Sequence, residues 1–216
     1  MPPNKATPWE SRARQSGRPG HVERRRVLIV CEDSKSSRFY FEGFPVDRHR
    51  AIVKAVGTGM NTDSLVEEAV RLQNQAQQQG SAFSHVWCVF DRDSFPPANY
   101  ARAFELANNN RFKVAWANEA FELWYLLHFH YLDAGISRAE YPSRLTKRLG
   151  VDYDKSDQKI FARLHNRQSD AIRNARNLLK AHRERGETPE RNFNPSTNMH
   201  ELVEFLNELC ELEPVE

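Results

Sequence analysis

Two short apolar runs, Val27-Leu28-Ile29-Val30-Cys31 and Val86-Trp87-Cys88-Val89-Phe90, each break off on a carboxylate, Glu32 after the first and Asp91 after the second. Apolar runs of this length bounded by polar turns read as buried strands. Around them the chain alternates between strand and helix patterns. Strands are predicted at 26–31, 50–56, 85–90 and 112–116. A polar turn, Glu32-Asp33-Ser34-Lys35-Ser36-Ser37, opens a short helix carrying Phe39, Tyr40 and Phe41. A second helix runs to about Gln79 and stops at Gly80, with N-cap candidates in Asn61-Thr62-Asp63-Ser64 and a capping-box spacing between Ser64 and Glu67. A third helix is expected at about 98–109 beyond Pro96 and Pro97. Asn118 is the natural N-cap of a fourth, at about 119–130.

Four strand–helix repeats before residue 131 predict an α/β fold, a mostly parallel sheet flanked by helices. The last third reads as helical. Ala171, Ile172, Ala175, Leu178 and Leu179 follow one helical face, as do Leu202, Val203, Phe205, Leu206 and Leu209. The expected organisation is a basic disordered tail over 1–25, an α/β domain over 26–130 and a C-terminal helical extension over 131–216 packed on it.

The overall charge of +2 conceals an asymmetry. Residues 1–26 hold seven basic and two acidic side chains, so the remainder is mildly acidic. Such a tail can touch phosphates, or serve only as a solubilising leader. No apolar stretch reaches membrane-spanning length and no secretory signal pattern is visible, which together predict a cytoplasmic protein without a membrane partner. Cys31 and Cys88 fall inside predicted strands and read as small core residues rather than disulfide partners.

In open α/β sheets the C-terminal strand ends are where ligands bind. Glu32, Asp91 and Asp93 are predicted at one such edge, and Asp91 and Asp93, two apart, project to the same side of an extended segment. Clustered carboxylates repel unless a hard divalent cation, Mg²⁺ or Mn²⁺, joins them. A metal-assisted phosphoryl-transfer site is the expectation, with Glu32, Asp91 and Asp93 as ligands. Lys35 is the expected phosphate cation, because a loop after a strand can aim a cation at the same edge. Arg92 alternates away from the two aspartates and reads as a flank or ion-pair residue. Glu119 and Glu122 share a helical face near the same edge; Glu122 is the candidate fourth acid, although helix-dipole stabilisation alone explains acids in a first turn.

Other polar features carry plainer readings. Gly57-Thr58-Gly59-Met60-Asn61 lacks the Lys-Ser/Thr of a Walker loop, so a turn feeding a helix suffices. His128 falls with Phe121, Trp124 and Tyr125 and reads as a hydrogen-bonded core histidine. His165, Asn166, Arg167 and Gln168, with Arg173 and Arg176, form either a solvated basic face or one that contacts RNA or DNA.

With these residues in view the chain resembles the RloB-like family of prokaryotic defence loci, itself similar to Toprim domains. The resemblance rests on Leu28-Ile29-Val30-Cys31-Glu32, Tyr40-Phe41, Gly57 to Thr62, Val86 to Asp93 and Asn118 to Trp124. It continues through Leu127-His128, Arg167-Gln168, Asp170-Ala171-Ile172 and Asn194-Pro195-Ser196-Thr197. It implies a Toprim-like sheet with metal held by Glu32, Asp91 and Asp93, and with Glu122 in the post-strand acid role. It further implies nucleic acid as substrate (RNA, tRNA included, or DNA) and an ABC- or AAA-type ATPase partner in antiviral abortive infection. One departure stands out: where the family turn reads Cys-Glu-Gly-Glu-Lys-Thr-Glu, this chain has Ser34 and Ser37 in place of acids. Fewer carboxylates imply weaker metal binding or activation by a partner.

The leading expectation is therefore a metal-dependent nuclease. The alternatives are a catalytically weak or inactive adaptor regulating an ATPase, and a haloacid-dehalogenase-type phosphatase with Asp91 as nucleophile and Asp93 as acid/base. The phosphatase motif normally opens the first strand, and here the strand ending in Glu32 precedes it.

Overall fold

The structure, a computed structural model, describes residues 25–47, 51–59, 62–92 and 97–211. Residues 1–24 of the basic tail, with Met60, Asn61 and Asp93, lie outside the described residues, while Arg25, expected in the tail, opens the first strand. Strands β1 (Arg25–Cys31), β2 (Ala51–Gly57), β3 (His85–Asp91) and β4 (Lys113–Asn118) form a parallel sheet. A fifth strand, β5 (Ser196–Thr197), adds antiparallel to β4, giving the order β2-β1-β3-β4-β5. The helices are α1 (Ser36–Glu42), α2 (Thr62–Gln78), α3 (Pro97–Asn109), α4 (Glu122–Leu127), α5 (Tyr141–Leu149), α6 (Ile160–Leu164), α7 (Gln168–Glu184) and α8 (Met199–Glu211). The sheet is thus α/β and mostly parallel, as the alternation predicts.

Alternation along the central strands sorts the core into two layers. Val27, Ile29, Cys31, Trp87 and Val89 face α1, α4, α7 and α8, in a cluster rich in aromatic rings from Tyr40 to Trp124. Leu28, Val30, Val86, Cys88 and Phe90 face the other way, onto Leu65, Val66 and Ala69 of α2 and Tyr100, Ala103 and Ala107 of α3. Both strand cysteines are free and buried, as their placement in the apolar runs predicts.

The chain leaves β1 toward one face, into α1, and leaves β3 toward the other, into α3. A crevice opens between the ends of two such neighbouring strands, and this is the topological switch point where open α/β sheets bind ligands. Glu32 and Asp91 stand on its two sides.

Several local expectations change. Asn118 does not cap a helix: it ends β4, pairs with Ser196, and its Nδ2 donates to the Phe193 carbonyl at 2.7 Å. The predicted helix at 119–130 is correspondingly shorter, beginning only at Glu122. The pairing with β5 won over capping because it satisfies the strand's backbone as well as the amide side chain. Helix α2 starts at Thr62, so Ser64 lies inside it, and the Ser64 amide is held by Asp63 Oδ1 at 3.0 Å. The helical third also supplies a strand, and Asn198 ties it to β4 by accepting from the Trp116 amide at 2.8 Å and donating to the Val114 carbonyl at 2.9 Å.

Candidate functional site

Backbone continuity brings the carboxylates together. The Glu32 amide donates to the Val89 carbonyl at 2.9 Å, extending the β1–β3 ladder one residue past the strand. In return the Asp91 amide donates to Glu32 Oε2 at 3.0 Å. The Glu32 loop is backed by the end of β2: Thr58 and Gly59 amides donate to the Cys31 and Glu32 carbonyls at 3.0 and 2.7 Å. Gly57 makes this possible, since a Cβ there would stand 2.3 Å from Ser34 Cα and 2.8 Å from the Asp33 carbonyl oxygen. The Gly57-Thr58-Gly59 turn therefore serves as a close-packed support for the Glu32 loop.

Asp91 is held between like charges. Burial raises its carboxyl well above the ordinary range, and the Glu122 and Glu32 carboxylates push in the same direction, while Arg138 opposes them. Arg138 Nη2 lies 3.0 Å from Asp91 Oδ2 and also donates to the Glu119 carbonyl at 3.3 Å. Glu122, at the start of α4, is buried. Burial opposes its ionisation, yet Lys155 and the surrounding hydrogen bonds outweigh that and hold its carboxyl below the ordinary value. Its Oε1 accepts from Lys155 Nζ at 3.0 Å, Tyr153 Oη at 2.9 Å and Ser36 Oγ at 3.2 Å.

Glu32, Asp91 and Glu122 are thus close enough to influence one another across the crevice. Lys35 lies on the loop after β1, its backbone at the N-cap of α1 and its side chain exposed. Asp93 lies outside the described residues. Arg92 turns away, donating to the Asn192 carbonyl and lying 5.7 Å from the Tyr100 ring centroid, as a flank residue does.

Four participants escape the sequence pattern: Arg138, Tyr153, Lys155 and Asp33. The first three come from loops around α5, and nothing local in sequence marks a loop residue as facing a strand end far earlier in the chain. Asp33 was legible in principle, because it is an acid where the family turn has glycine. Its Oδ1 accepts from the Lys35 amide and its Oδ2 from the Ser37 amide at 3.2 Å, so it caps α1.

Glu32, Asp91 and Glu122 are hard oxygen donors of the kind a divalent cation takes, but Asp91 and Glu122 are each paired with a side-chain cation, Arg138 and Lys155. The Tyr141 hydroxyl is buried near Asp91, Glu119 and Glu122, against the Glu119 backbone. Among the described residues, no group of three or more His, Cys, Asp or Glu stands in a ligating arrangement. Metal entry would therefore require Arg138 to release Asp91.

The other polar expectations resolve into structure. His128 is fully buried, with Nδ1 2.9 Å from the Trp124 carbonyl and Nε2 3.4 Å from Tyr40 Oη, and burial lowers its pKa to about 4. It is a neutral core histidine. The basic face of α7 is largely spent on pairs: Arg173 with Asp170, Arg176 with Glu204, and Arg167 over the Phe129 ring. Gln168 is buried and bonded to Asn207 at 2.7 Å.

A family model described as RloB-like protein matches residues 27–206. No curated protein and no solved structure matches the chain. No helix among the described residues is long and apolar enough to cross a membrane.

Proposed function

The chain belongs to the RloB-like protein family, and from that premise we propose that it hydrolyses phosphodiester bonds of RNA, tRNA included, or DNA at the crevice between β1 and β3. The observation that carries this reading is the convergence of Glu32, Asp91 and Glu122 at a topological switch point, with the Asp91 carboxyl raised by burial and then by its carboxylate neighbours. A bound Mg²⁺ or Mn²⁺ supplies charge neutralisation at phosphate oxygens and a more acidic water. Glu32, Asp91 and Asp93 would hold the ion. Glu122, oriented by Tyr153 and Ser36 and paired with Lys155, would be the acid that takes the proton of the attacking water. Arg138, beside Asp91, and Lys35, exposed on the same loop as Glu32, would be the cations for the charge on the scissile phosphate. The Toprim-like assignment, the ATPase partner and the antiviral setting belong to the same proposal.

Purified protein should cut nucleic acid with Mn²⁺ and lose that cleavage in Glu32→Ala and Asp91→Ala. Cleavage surviving in both variants would sink the assignment.

A second reading, an adaptor without unaided activity, is favoured by the two side-chain cations already seated on Asp91 and Glu122. Calorimetry separates the two: no heat of Mn²⁺ binding at millimolar metal, with tight binding to an ATPase, supports the adaptor.

A further inference from the structure

Helix α5 begins at Tyr141, one 3-10 turn (Arg138–Glu140) after Arg138, the residue paired with Asp91, so it leads away from the candidate site. Over the segment Arg138 to Gly150 there are four cationic side chains, Arg138, Arg144, Lys147 and Arg148, and one glutamate, Glu140. Glu140 is committed to capping, its Oε2 accepting from the Ser137 amide at 2.9 Å, and to Arg144 at 3.1 Å. Lys147 and Arg148 are exposed and have no ionic partner among the described residues.

Arg144, Lys147 and Arg148 line a groove of about 610 Å³ between α5 and the end of α4, with His130, Glu140 and Ser143 completing its wall. His130 Nδ1 is buried in that wall and has no hydrogen-bond partner among the described residues. The helix dipole accounts for cations in the last turn of α5. It does not account for a concavity, nor for a polar imidazole atom left waiting at its wall. The contrast with α7 is informative, since there Arg173 and Arg176 are each matched to an acid. On α5 the charge is left over, and Arg144 with Lys147 and Arg148 recurs at one-turn spacing, presenting a row of donors rather than a single point.

We propose that the α5 groove is the track for a single-stranded nucleic-acid backbone, with Lys147 and Arg148 on successive phosphates and the strand led past Arg138 to Asp91. The shared chemistry is the phosphodiester, from RNA or DNA. The inference deepens the hydrolase reading and rests on it for the direction of the strand.

The test is fluorescence anisotropy of the full chain with a labelled single-stranded RNA and with the same sequence as DNA, in EDTA, across a salt series. Neutralising the pair in Lys147→Gln/Arg148→Gln should weaken binding at least about tenfold at low salt. It should also flatten the slope of log affinity against log salt by about 1.4, two single-strand phosphate contacts. The tighter arm identifies RNA or DNA as the source. The control pair Arg173→Gln/Lys180→Gln should bind as the parent does. Unchanged affinity and slope in the Lys147/Arg148 variant, or an equal loss in the control, overturns the groove. Cleavage with Mn²⁺ is read separately: a groove that binds in a parent that does not cut leaves this inference standing and sinks the hydrolase.

Discussion

The Asp91 amide is held by the Glu32 carboxylate at 3.0 Å, so the end of β3 depends on a side chain from the end of β1. Neither acid is placed by its own strand alone. The carboxylate that accepts this amide keeps one oxygen engaged in structure, and Asp91 bears the consequence in charge: its carboxyl is pushed up by burial and then by Glu122 and Glu32.

An acid held above its ordinary range favours the folded state only when protonated, so its contribution to stability is present at low pH and is lost as pH rises through the raised folded-state value. Replacing it with a neutral isostere removes that loss. Asp91→Asn should therefore raise Tm at pH 7, by about 2–4 °C for each kcal/mol relieved, with the gain fading on acidification. Calorimetric melts at pH 7 and pH 4 check this; a lower Tm at pH 7 would show Arg138 to be the dominant neighbour instead. In the same melts Mn²⁺ should stabilise the parent and leave the variant unmoved.

Arg138 competes for the carboxylate that the proposed metal needs. Arg138→Gln should raise Mn²⁺ affinity, by up to about tenfold (about 1.4 kcal/mol), because no ion pair has to open first. Stability without metal should fall by no more than about 1 kcal/mol, since the arginine is substantially exposed. Titration calorimetry reads the affinity directly, and a value equal to the parent's removes Arg138 from the competition.

Gly57 carries a sharper constraint. A methyl group there meets backbone on the Glu32 loop rather than a flexible side chain. Gly57→Ala should cost about 1–3 kcal/mol in chemical denaturation and should weaken Mn²⁺ binding as the loop shifts. Full metal affinity with full stability would show that the loop has room to retreat.

His128 makes the core acid-sensitive. Its pKa falls from 6.5 to about 4 on folding, because burial disfavours the cation. Below 6.5 the unfolded chain takes up a proton that the folded chain refuses, so stability declines from about pH 6.5 to about pH 4 and levels off beneath. The loss is on the order of 3 kcal/mol. His128→Asn keeps a donor toward the Trp124 carbonyl and should flatten that part of the stability–pH curve; an unchanged slope would assign the sensitivity to His200, also lowered to about 4.

The parallel strands and the meeting of Glu32 with Asp91 were legible because apolar runs ending in acids report both burial and strand direction. Glu122 was legible from its place just after β4. The partners that tune these acids were not. Arg138, Tyr153 and Lys155 reach the crevice through loops whose residues look like solvated turns, and only the packing of α5 against α4 turns them inward. Asn118 misled for a related reason, since an asparagine before a helix and one that ends a strand look identical until the distant Ser196 is known to pair with it.

The pairing of Ser196 and Thr197 with β4 has a further consequence in time. During synthesis the strands bearing Glu32 and Asp91 emerge long before the segment that braces Ala117 and Asn118, with Asn198 following it. Contacts between residues so far apart are slow to form and cannot form at all until the later one has left the ribosome. The wall beside the crevice is therefore finished last, and a chain interrupted before residue 196 carries the acids without their brace.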